Sequence, residues 1–339
     1  MGRKIRIGIT NDDIPKPGLK RLDEMPNIEY QVFSEFLPEV TPEQIRGFDM
    51  VITAGARWTQ QTVAGNKDLI CVLYLGMGYD HIDVLALNKA EVMLCNSPMA
   101  VRRPMAVTIM TFILALAMRL LNKDKITRQG RWEERANYYG DGLMGKTLGS
   151  IGVGNIGHEM FLLAKPFGMR HIAYDPYVTQ EAVADVDVKL VDMDTVLAES
   201  DFLNISVPLN EETRHLIGEK ELGKMKKSAF LINTARGPVV DEATLIKVLQ
   251  EGRIRGAGLD VFEQEPTPTD NPLLKMENVV VSPHALCETD ELFAGMWEQK
   301  FGQMSQIIRG EVPEALINRE VLEKPEFQAK LKKFRESIK

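Results

Sequence analysis

Cysteine is scarce in this chain. Only Cys71, Cys95 and Cys287 occur among 339 residues, an odd number without the spacing of a metal site, so no disulfide framework or cysteine-rich metal centre is predicted. The pattern His284-x-x-Cys287 offers too few ligands for a metal ion, and a buried thiol is the better interpretation. Three unpaired thiols suit a reducing cytoplasm.

The sequence also has little that would export it or place it in a membrane. Met1-Gly2-Arg3-Lys4 leads directly into the strand-like Ile5–Ile9, with no apolar core or small-residue cleavage site of a signal peptide. The longest apolar run, Pro104–Met118, is shorter than the roughly 20 residues that span a bilayer, and Arg103 and Arg119 flank it. We interpret the run as a buried helix and expect a cytoplasmic protein.

Positive charge is in deficit, with a formal net charge of −7. Because no basic stripe with interleaved aromatic residues is present, nucleic-acid binding is not expected. The apolar fraction of 44% and charged fraction of 26% are typical of a globular protein. A chain of this length can form two domains, each with its own core.

Short apolar segments alternate with helical or polar ones along the chain. This alternation predicts parallel α/β sheets. Helices are expected at residues 17–25, 82–89, 103–121, 158–167, 193–199, 242–250 and 288–310. Strands are expected at residues 4–9, 28–33, 49–53, 69–75, 91–96, 148–151, 171–175, 201–207, 229–233, 256–261 and 278–282.

The strands fall into two groups, and Asn96-Ser97-Pro98 between them is interpreted as a hinge. We expect a discontinuous first domain of residues 1–99 and 287–339, and a second domain of residues 100–286. The helix after the hinge is apolar all round, as a helix between its own domain and another subunit would be. A homodimer is therefore predicted through Pro104–Leu121 and the polar arm Asn122–Gly142.

A glycine-rich turn organises the second group. Gly152-Val153-Gly154-Asn155-Ile156-Gly157 joins a strand to a helix, the context of a dinucleotide-binding turn. Gly152 permits the tight turn, Gly154 lets the backbone approach a pyrophosphate, and Gly157 lets helix and strand pack closely. Free N–H groups at Asn155 and Ile156 would face the phosphates. A turn that binds nothing is the alternative.

Asp175 ends the next strand, 18 residues after Gly157 (175 − 157). An acid at about this distance accepts hydrogen bonds from the ribose hydroxyls of NAD and repels the 2′-phosphate of NADP. The predicted cofactor is therefore NAD(H). Alternatively, Asp175 is simply a solvated residue before Pro176.

Three polar stretches follow later strands, where open α/β sheets place their ligands. They contain Arg236, Glu265 and His284. Arg236 could hold a substrate carboxylate and polarise a carbonyl, His284 could donate a proton to the carbonyl oxygen, and Glu265 could orient the imidazole and favour its charged form. Taken singly, Arg236 could bind a helix end, Glu263 and Glu265 could be loop surface, and His284 could be an ordinary histidine.

Longer motifs carry a resemblance over nearly the whole chain. They are Leu75–Asp83, Gly145–Gly157, Pro208-Leu209 with Thr213, Asn233–Asp241, Gly258–Pro266 and Pro283-His284. In these the chain resembles the D-isomer-specific 2-hydroxyacid dehydrogenases, which include phosphoglycerate, D-lactate and glyoxylate/hydroxypyruvate enzymes. The resemblance implies a flavodoxin-like substrate domain and a Rossmann NAD-binding domain with a cleft between them.

The resemblance also assigns residues. It makes Glu265, directly before a proline, the catalytic acid rather than Glu263, and gives Arg236 and His284 the roles derived above. Met77 and Gly78 would bind the substrate carboxylate through backbone N–H groups, with Arg57 nearby. Besides the glycine turn and Asp175, the cofactor would contact Val207, Pro208, Thr213, Thr234, Ala235 and Asp260.

Some positions depart from the family pattern. Val107 stands where a Glu is usual, Ser206 where a His is common, and Ala285-Leu286-Cys287 where a glycine-containing turn is usual. Other segments would line the cleft through Trp58, Tyr74, Tyr79, Arg102 and Arg103. Extra arginine there could favour a substrate with a second anionic group.

The predicted reaction is reduction of a 2-keto acid by NADH to a D-2-hydroxy acid. A formate or phosphite dehydrogenase is a weaker alternative, because formate dehydrogenases of this architecture pair their His with Gln rather than Glu. An NADH-sensing corepressor-like protein is the alternative from another class, marked by NADH-dependent oligomerisation without turnover.

Overall fold

A computed structural model describes residues 2–12 and 14–338. Met1, Asp13 and Lys339, which belong to the predicted first domain, lie outside the described residues. The chain divides into two compact units, one formed by Met1–Val101 with Thr289–Lys339 and the other by Arg102–Glu288.

The first unit contains a parallel sheet in the order β2-β1-β3-β4-β5. Its strands are β1 (Ile5–Ile9), β2 (Ile28–Val32), β3 (Met50–Thr53), β4 (Cys71–Tyr74) and β5 (Met93–Cys95). Its helices are α1 (Leu19–Asp23), α2 (Pro42–Ile45) and α3 (Val84–Lys89), with α10 (Asp290–Arg309) and α11 (Pro325–Ile338) returning from the C-terminal part. Helix α4 (Pro98–Ala117) begins at the end of this unit.

The second unit contains a parallel sheet in the order β12-β11-β10-β9-β6-β7-β8. Its strands are β6 (Thr147–Ile151), β7 (Arg170–Tyr174), β8 (Val188–Leu190), β9 (Phe202–Ile205), β10 (Phe230–Asn233), β11 (Gly256–Leu259) and β12 (Val279–Val281). Its helices, after most of α4, are α5 (Leu120–Arg128), α6 (Asn155–Ala164), α7 (Met193–Glu199), α8 (Glu219–Leu222) and α9 (Glu242–Gln250). Two parallel α/β sheets confirm the predicted fold class.

Helices cover both faces of the second sheet. Alternate strand residues point to opposite faces, so Phe202 and Phe230 pack with α4 and α6, whereas Leu203 and Leu231 pack with α7, α8 and α9. A sheet covered on both faces needs apolar residues throughout its strands, which explains their uninterrupted apolar runs.

Helix α4 differs from the prediction at both ends. It begins at Pro98 and ends at Ala117, and the expected polar arm is partly helical, in α5 and in the 3₁₀ segment Trp132–Tyr138. Within the described residues, α4 is the one helix that is long and apolar enough to span a membrane by length and composition. Half of it is buried inside the protein, where its side chains form part of the second unit's core.

Candidate active site

The predicted cofactor and catalytic residues of the second unit gather at one edge of its sheet. All seven strands are parallel, so the loops that follow them leave at the same edge. The sheet runs outward in both directions from β6 and β9, which is the switch point where such sheets bind ligands. The loops carry Gly152–Gly157 after β6, Asp175 after β7, Val207, Pro208 and Thr213 after β9, Thr234–Arg236 after β10, Asp260 and Glu265 after β11, and His284 after β12.

The glycine turn has the tight geometry that the sequence predicts. Gly152 has φ +88°, and a Cβ there would lie 2.3 Å from the carbonyl oxygen of Ser206. Its N–H donates to the carbonyl of Tyr174 at 2.8 Å, and its carbonyl accepts from the Ser150 hydroxyl at 2.6 Å. Neighbouring strands therefore hold this turn in a conformation that favours glycine.

Helix α6 begins at Asn155 with Gly154 as its N-cap, and no side chain caps it. The first N–H groups of a helix, here those of Asn155 and Ile156, have no acceptor within the helix. A Cβ on Gly154 would meet no atom within 4 Å, so the space above this helix end is open. Open space, uncapped donors and the helix dipole together suit a pyrophosphate.

The Asp175 carboxylate is tied to the glycine turn. Its Oδ2 accepts from the N–H of Val153 at 2.9 Å, and its Oδ1 accepts from the N–H of Tyr177 at 2.9 Å. Each carboxylate oxygen can accept further hydrogen bonds. Asp175 is thus fixed beside the turn, with acceptor capacity left for ribose hydroxyls.

His284 and Glu265 form a hydrogen-bonded pair. The His284 Nδ1 lies 2.8 Å from Glu265 Oε2, and Glu265 Oε1 accepts from the N–H of Phe262 at 2.9 Å. Burial on its own raises the pKa of the Glu265 carboxyl, but the bonds from His284 and Phe262 outweigh it, so the pKa lies below its ordinary value. An ionised Glu265 can accept a hydrogen bond from an Nδ1–H of His284, and Nε2 is then the ring nitrogen left for proton exchange.

Arg236 lies on the loop next to this pair, and its charge contributes to the lowered pKa of Glu265. The loop is braced by Asn233, whose Nδ2 donates to the Arg236 carbonyl at 3.0 Å. A Cβ on Gly237 would lie 1.9 Å from the carbonyl carbon and oxygen of Phe262. Only glycine at 237 therefore lets the Arg236 loop approach the loop of Glu265 this closely.

Asp260 anchors the segment that follows His284. Its Oδ1 accepts from the N–H groups of Ala285 and Leu286 at 3.2 and 3.3 Å, and the residue is almost fully buried. His284 itself has φ +56°, a left-handed conformation that non-glycine residues adopt at a cost and that is common at functional sites. Burial, with Asp260 and Glu288 nearby, raises the pKa of the Cys287 thiol to about 11.

The other predicted cofactor residues lie on braced loops at the same edge. The Thr213 hydroxyl donates to the Pro208 carbonyl at 2.6 Å, which folds the loop that carries Val207. The N–H of Ala235 donates to Asn233 Oδ1 at 3.1 Å, and Thr234 is largely buried. These contacts position backbone groups along the sheet edge.

The substrate-binding candidates of the first unit lie after β3 and β4. Met77 and Gly78 follow β4 and are partly exposed. The Arg57 side chain is mostly exposed and pairs with Glu39, with 3.3 Å between Arg57 Nη2 and Glu39 Oε2. Trp58 was expected to line the cleft, and this is wrong, because its ring is buried in the first unit's core.

Arg102 and Arg103 both bind Glu159 of α6. The distances are 2.7 Å from Arg102 Nη2 to Glu159 Oε2 and 2.8 Å from Arg103 Nη1 to Glu159 Oε1. Burial raises the pKa of Glu159, but the two guanidinium groups outweigh it and the pKa lies below its ordinary value. Part of the positive charge considered for a second substrate anion is therefore neutralised within the protein.

A second His–Glu pair was not predicted. His215 Nε2 lies 2.7 Å from Glu263 Oε1, and the N–H of Glu263 donates to Glu242 Oε2 at 2.9 Å. Glu263 therefore braces the loop that carries Glu265, and no spacing in the sequence indicates its pairing with His215. Over residues 2–12 and 14–338, no group of three or more His, Cys, Asp or Glu side chains is placed to hold a metal ion.

Comparison with known proteins agrees with this geometry. Residues 110–285 match the sequence family described as "D-isomer specific 2-hydroxyacid dehydrogenase, NAD binding domain". The chain is 37% identical over 335 residues to a glyoxylate reductase of Korarchaeum cryptofilum, an alignment that covers 96% of this chain and all of that protein.

Solved structures give the same result. A glyoxylate reductase from Paecilomyes thermophila superposes with a TM-score of 0.81 at 27% identity, covering 93% of this chain and 99% of that one. A D-isomer specific 2-hydroxyacid dehydrogenase from Lactobacillus delbrueckii ssp. bulgaricus, in its NAD-complexed form, superposes with a TM-score of 0.80 at 27% identity, covering 92% and 100%.

Proposed function

Because the chain belongs to the D-isomer specific 2-hydroxyacid dehydrogenase family, we propose that it reduces a small 2-keto acid such as glyoxylate, with NADH as the preferred cofactor. The observation that carries the proposal is the His284–Glu265 pair, 2.8 Å between Nδ1 and Oε2, beside Arg236 at the carboxyl edge of the second sheet. The glyoxylate reductases among its relatives support a small keto acid.

Each catalytic residue has one task in this proposal. His284 donates a proton from Nε2 to the carbonyl oxygen of the keto acid as reduction proceeds, and Glu265 holds the imidazole in place for this transfer. Arg236 donates hydrogen bonds to the substrate carboxylate and carbonyl, and so polarises the carbonyl and fixes its orientation. In the reverse direction His284 accepts the proton of the hydroxy acid.

NADH, when bound, supplies the hydride. The uncapped start of α6 at Asn155 and Ile156 would bind its pyrophosphate, and Asp175 would accept hydrogen bonds from its adenosine ribose and repel a 2′-phosphate. Val207, Pro208, Thr213, Thr234 and Ala235 would contact it along the sheet edge, and Asp260 would hold the nicotinamide amide.

The first unit would contribute substrate contacts. Backbone N–H groups of Met77 and Gly78 would bind the substrate carboxylate, and Arg57 would add positive charge near it. The protein would act in the cytoplasm as a homodimer formed through the Pro104–Leu121 segment and the following arm.

The experiment that tests the proposal measures oxidation of NADH and NADPH with glyoxylate, pyruvate, hydroxypyruvate, and branched, aromatic and doubly anionic 2-keto acids. We expect turnover of a small keto acid with NADH, and a loss of roughly 10²- to 10⁴-fold in kcat for His284→Ala, which lacks the general acid. His215→Ala is the matched control, because it removes a histidine from the other His–Glu pair and should retain most activity. Unchanged turnover in His284→Ala would refute the assignment.

A further inference from the structure

A lysine is completely buried in the first unit. Lys300 of α10 has no exposed surface, and its Nζ donates to the Asn96 carbonyl and to Gln303 Oε1, each at 2.9 Å, with the Cys95 carbonyl at 3.5 Å. No carboxylate pairs with it in the part of the chain that the structure describes. Burial lowers the pKa of Lys300 to about 7, an effect that the Cys95 and Cys71 thiols partly offset. Burying an ammonium group without a counter-charge is unfavourable, so we expect this lysine to have a role in function.

The bonds of Lys300 end at the segment just after β5. Gln303 Nε2 also donates to the Asn96 carbonyl, at 2.9 Å, so two side chains of α10 donate hydrogen bonds to the same peptide oxygen. Gln303 is itself fixed, because the same Nε2 lies 2.9 Å from the Glu314 carbonyl. Asn96 is buried and donates its own N–H to the Ala315 carbonyl at 3.3 Å. Asn96 is therefore held through its backbone.

From this fixed point, Asn96 and Ser97 hold the loop that follows β4. The Asn96 Nδ2 donates to the Met77 carbonyl at 2.8 Å. The Ser97 N–H donates to the Gly76 carbonyl at 2.7 Å, and the Ser97 hydroxyl donates to the Tyr74 carbonyl at 3.1 Å. Two consecutive peptide carbonyls of the loop are thus bound from one side.

A bond to a peptide carbonyl also fixes the direction of the N–H group in the same peptide. In a planar trans peptide the C=O and the following N–H point in opposite directions. With the Gly76 and Met77 carbonyls bound to Ser97 and Asn96, the N–H groups of Met77 and Gly78 point away from that segment. Neither N–H donates a hydrogen bond to any described residue. Two adjacent free donors are well suited to a carboxylate.

We propose that Lys300 is a positioning residue for substrate binding: with Gln303 it fixes Asn96, and through Asn96 it orients the Met77 and Gly78 N–H groups toward the carboxylate of a 2-keto acid. The proposal rests on the proposed function for the identity of the anion. It extends the site to a side chain that touches neither substrate nor cofactor.

The test is Lys300→Met, which keeps the length of the side chain and removes its hydrogen bonds. We expect KM for the keto acid to rise about tenfold. A change of this size corresponds to the free energy that one hydrogen bond contributes to binding. The kcat should change less than threefold, and NADH affinity by fluorescence titration should stay unchanged. A residue that serves only stability would alter the melting temperature and leave KM as it was.

Lys330→Met is the matched control. Lys330 is a partly buried lysine of the first unit whose pKa is also lowered, to about 8, but its Nζ donates to the Glu91 carbonyl at 3.0 Å and not to the Asn96 segment. We expect its KM to equal that of the wild type. An equal rise of KM in both variants would overturn the proposal, since it would show that removing any buried lysine has this effect.

A double-mutant cycle tests the route through Asn96. Asn96→Ala releases the Met77 carbonyl directly. In the double variant, Lys300→Met should therefore raise KM little beyond the value for Asn96→Ala, whereas independent substitutions would give the product of the two single increases in KM. If Lys300→Met does not fold, Gln303→Leu takes its place in the cycle, because it removes the other bond to the same carbonyl. A double variant whose increase in KM equals the product of the two single increases would overturn the proposal.

A binding measurement separates this inference from the proposed function. Oxalate, an unreactive dicarboxylate, is titrated into ¹⁵N-labelled protein with NADH present, and the Met77 and Gly78 amide shifts are followed. We expect both amides to respond in the wild type and to saturate at about tenfold higher oxalate in Lys300→Met. If keto acids are reduced but these amides do not respond, the inference fails and the function stands. If the amides respond as expected but no keto acid is reduced, the function fails and the inference stands.

Discussion

Individual side chains at the carboxyl edge of the second sheet set its chemistry, and Glu265 shows how. Its carboxylate accepts one bond from His284 and one from the backbone at Phe262. The backbone bond fixes the carboxylate, and the fixed carboxylate then orients the imidazole. Glu265 is thus both a charge and a support, and a substitution can separate the two tasks.

Glu265→Gln keeps the size of the side chain and removes its charge. We expect keto-acid reduction at neutral pH to fall roughly ten- to a hundredfold, the factor that corresponds to a hydrogen bond between charged groups. Steady-state rates of keto-acid reduction at pH 7 test this, with Glu263→Gln as control. A Glu265→Gln variant as fast as the wild type would show that the charge of Glu265 does not matter to the reaction.

His171 makes a residue-scale prediction about stability. Its ring is buried, Nδ1 lies 3.2 Å from the Val186 carbonyl, and Nε2 has no hydrogen-bond partner among the described residues. Burial lowers the pKa of His171 below its ordinary value, and the bond to Val186 offsets this only in part. Below about pH 6.5 the unfolded chain therefore binds a proton that the folded chain resists, and stability falls as the pH falls.

His171→Leu removes this proton linkage. The free energy of unfolding, from urea titrations between pH 5 and 8, should depend less on pH in the variant than in the wild type, with the difference confined to the acidic end. Above pH 7 the profiles of the two proteins should run parallel. A variant whose stability falls as steeply as the wild type's toward pH 5 would contradict the assignment to His171.

Between elements, loops meet at distances that only glycine permits, and Gly237 is the sharpest case. The missing Cβ lets the Arg236 loop lie against Phe262, three residues before Glu265. Gly237→Ala should force these loops apart, cost about 1–3 kcal/mol in stability, and reduce kcat/KM more than it reduces NADH affinity.

Unfolding in urea, steady-state kinetics and NADH titration check the three parts of this prediction. Gly302→Ala is the control, because Gly302 lies in α10 and a Cβ there would meet no atom within 4 Å. That variant should be neutral or slightly more stable. If Gly237→Ala behaves as the control does, the contact between the two loops does not matter to the site.

Most elements could be predicted from the sequence, and the exceptions have physical causes. Strands buried on both faces give uninterrupted apolar runs, so β6, β9 and β10 were evident. Strand β8 was missed because it is a three-residue edge strand, Val188–Leu190, whose middle residue is the exposed Lys189. Its run of apolar residues is too short to distinguish the strand from a loop.

The ends of α4 were wrong for a different reason. Pro98 was interpreted as a breaker, but a proline fits the first turn of a helix, where its missing N–H has no intrahelical partner to lose. The helix ends two residues before Arg119, which has φ +49° although it is not glycine. A left-handed arginine has no signal in the sequence, so the break between α4 and α5 was not foreseen.

Contacts between motif residues could be predicted from the sequence, and contacts outside any motif could not. The pairing of His284 with Glu265 was expected from the motifs that carry the two residues, and the structure has it at 2.8 Å. The pairing of His215 with Glu263, and the grip of Lys300 on Asn96, join residues far apart in the chain. Such contacts follow from the fold alone, since no local pattern specifies them.

At the scale of the whole molecule, the exposed apolar side chains of the second unit bear on the predicted homodimer. Several large ones lie close together in sequence, and each is more than two-fifths exposed: Val107, Met118, Leu120, Leu121, Trp132, Tyr139 and Met144. Exposed apolar side chains that gather into a patch usually mark an interface. A second copy of the chain is the occupant that the apolar α4 predicts.

Light scattering should therefore give about twice the chain mass of 38.1 kDa. Leu121→Asp places a charge in this surface and should shift the mass toward the monomer, because an unpaired charge is costly to bury in an interface. Leu85→Asp is the control: Leu85 is an exposed leucine of the first unit, outside this group and 70% exposed, and its variant should keep the wild-type mass. Two results would contradict an interface through the apolar side chains of the second unit. One is a wild type that is monomeric at every concentration, and the other is a Leu121→Asp variant that remains a dimer. In the first case these side chains face water, and in the second the copies meet elsewhere.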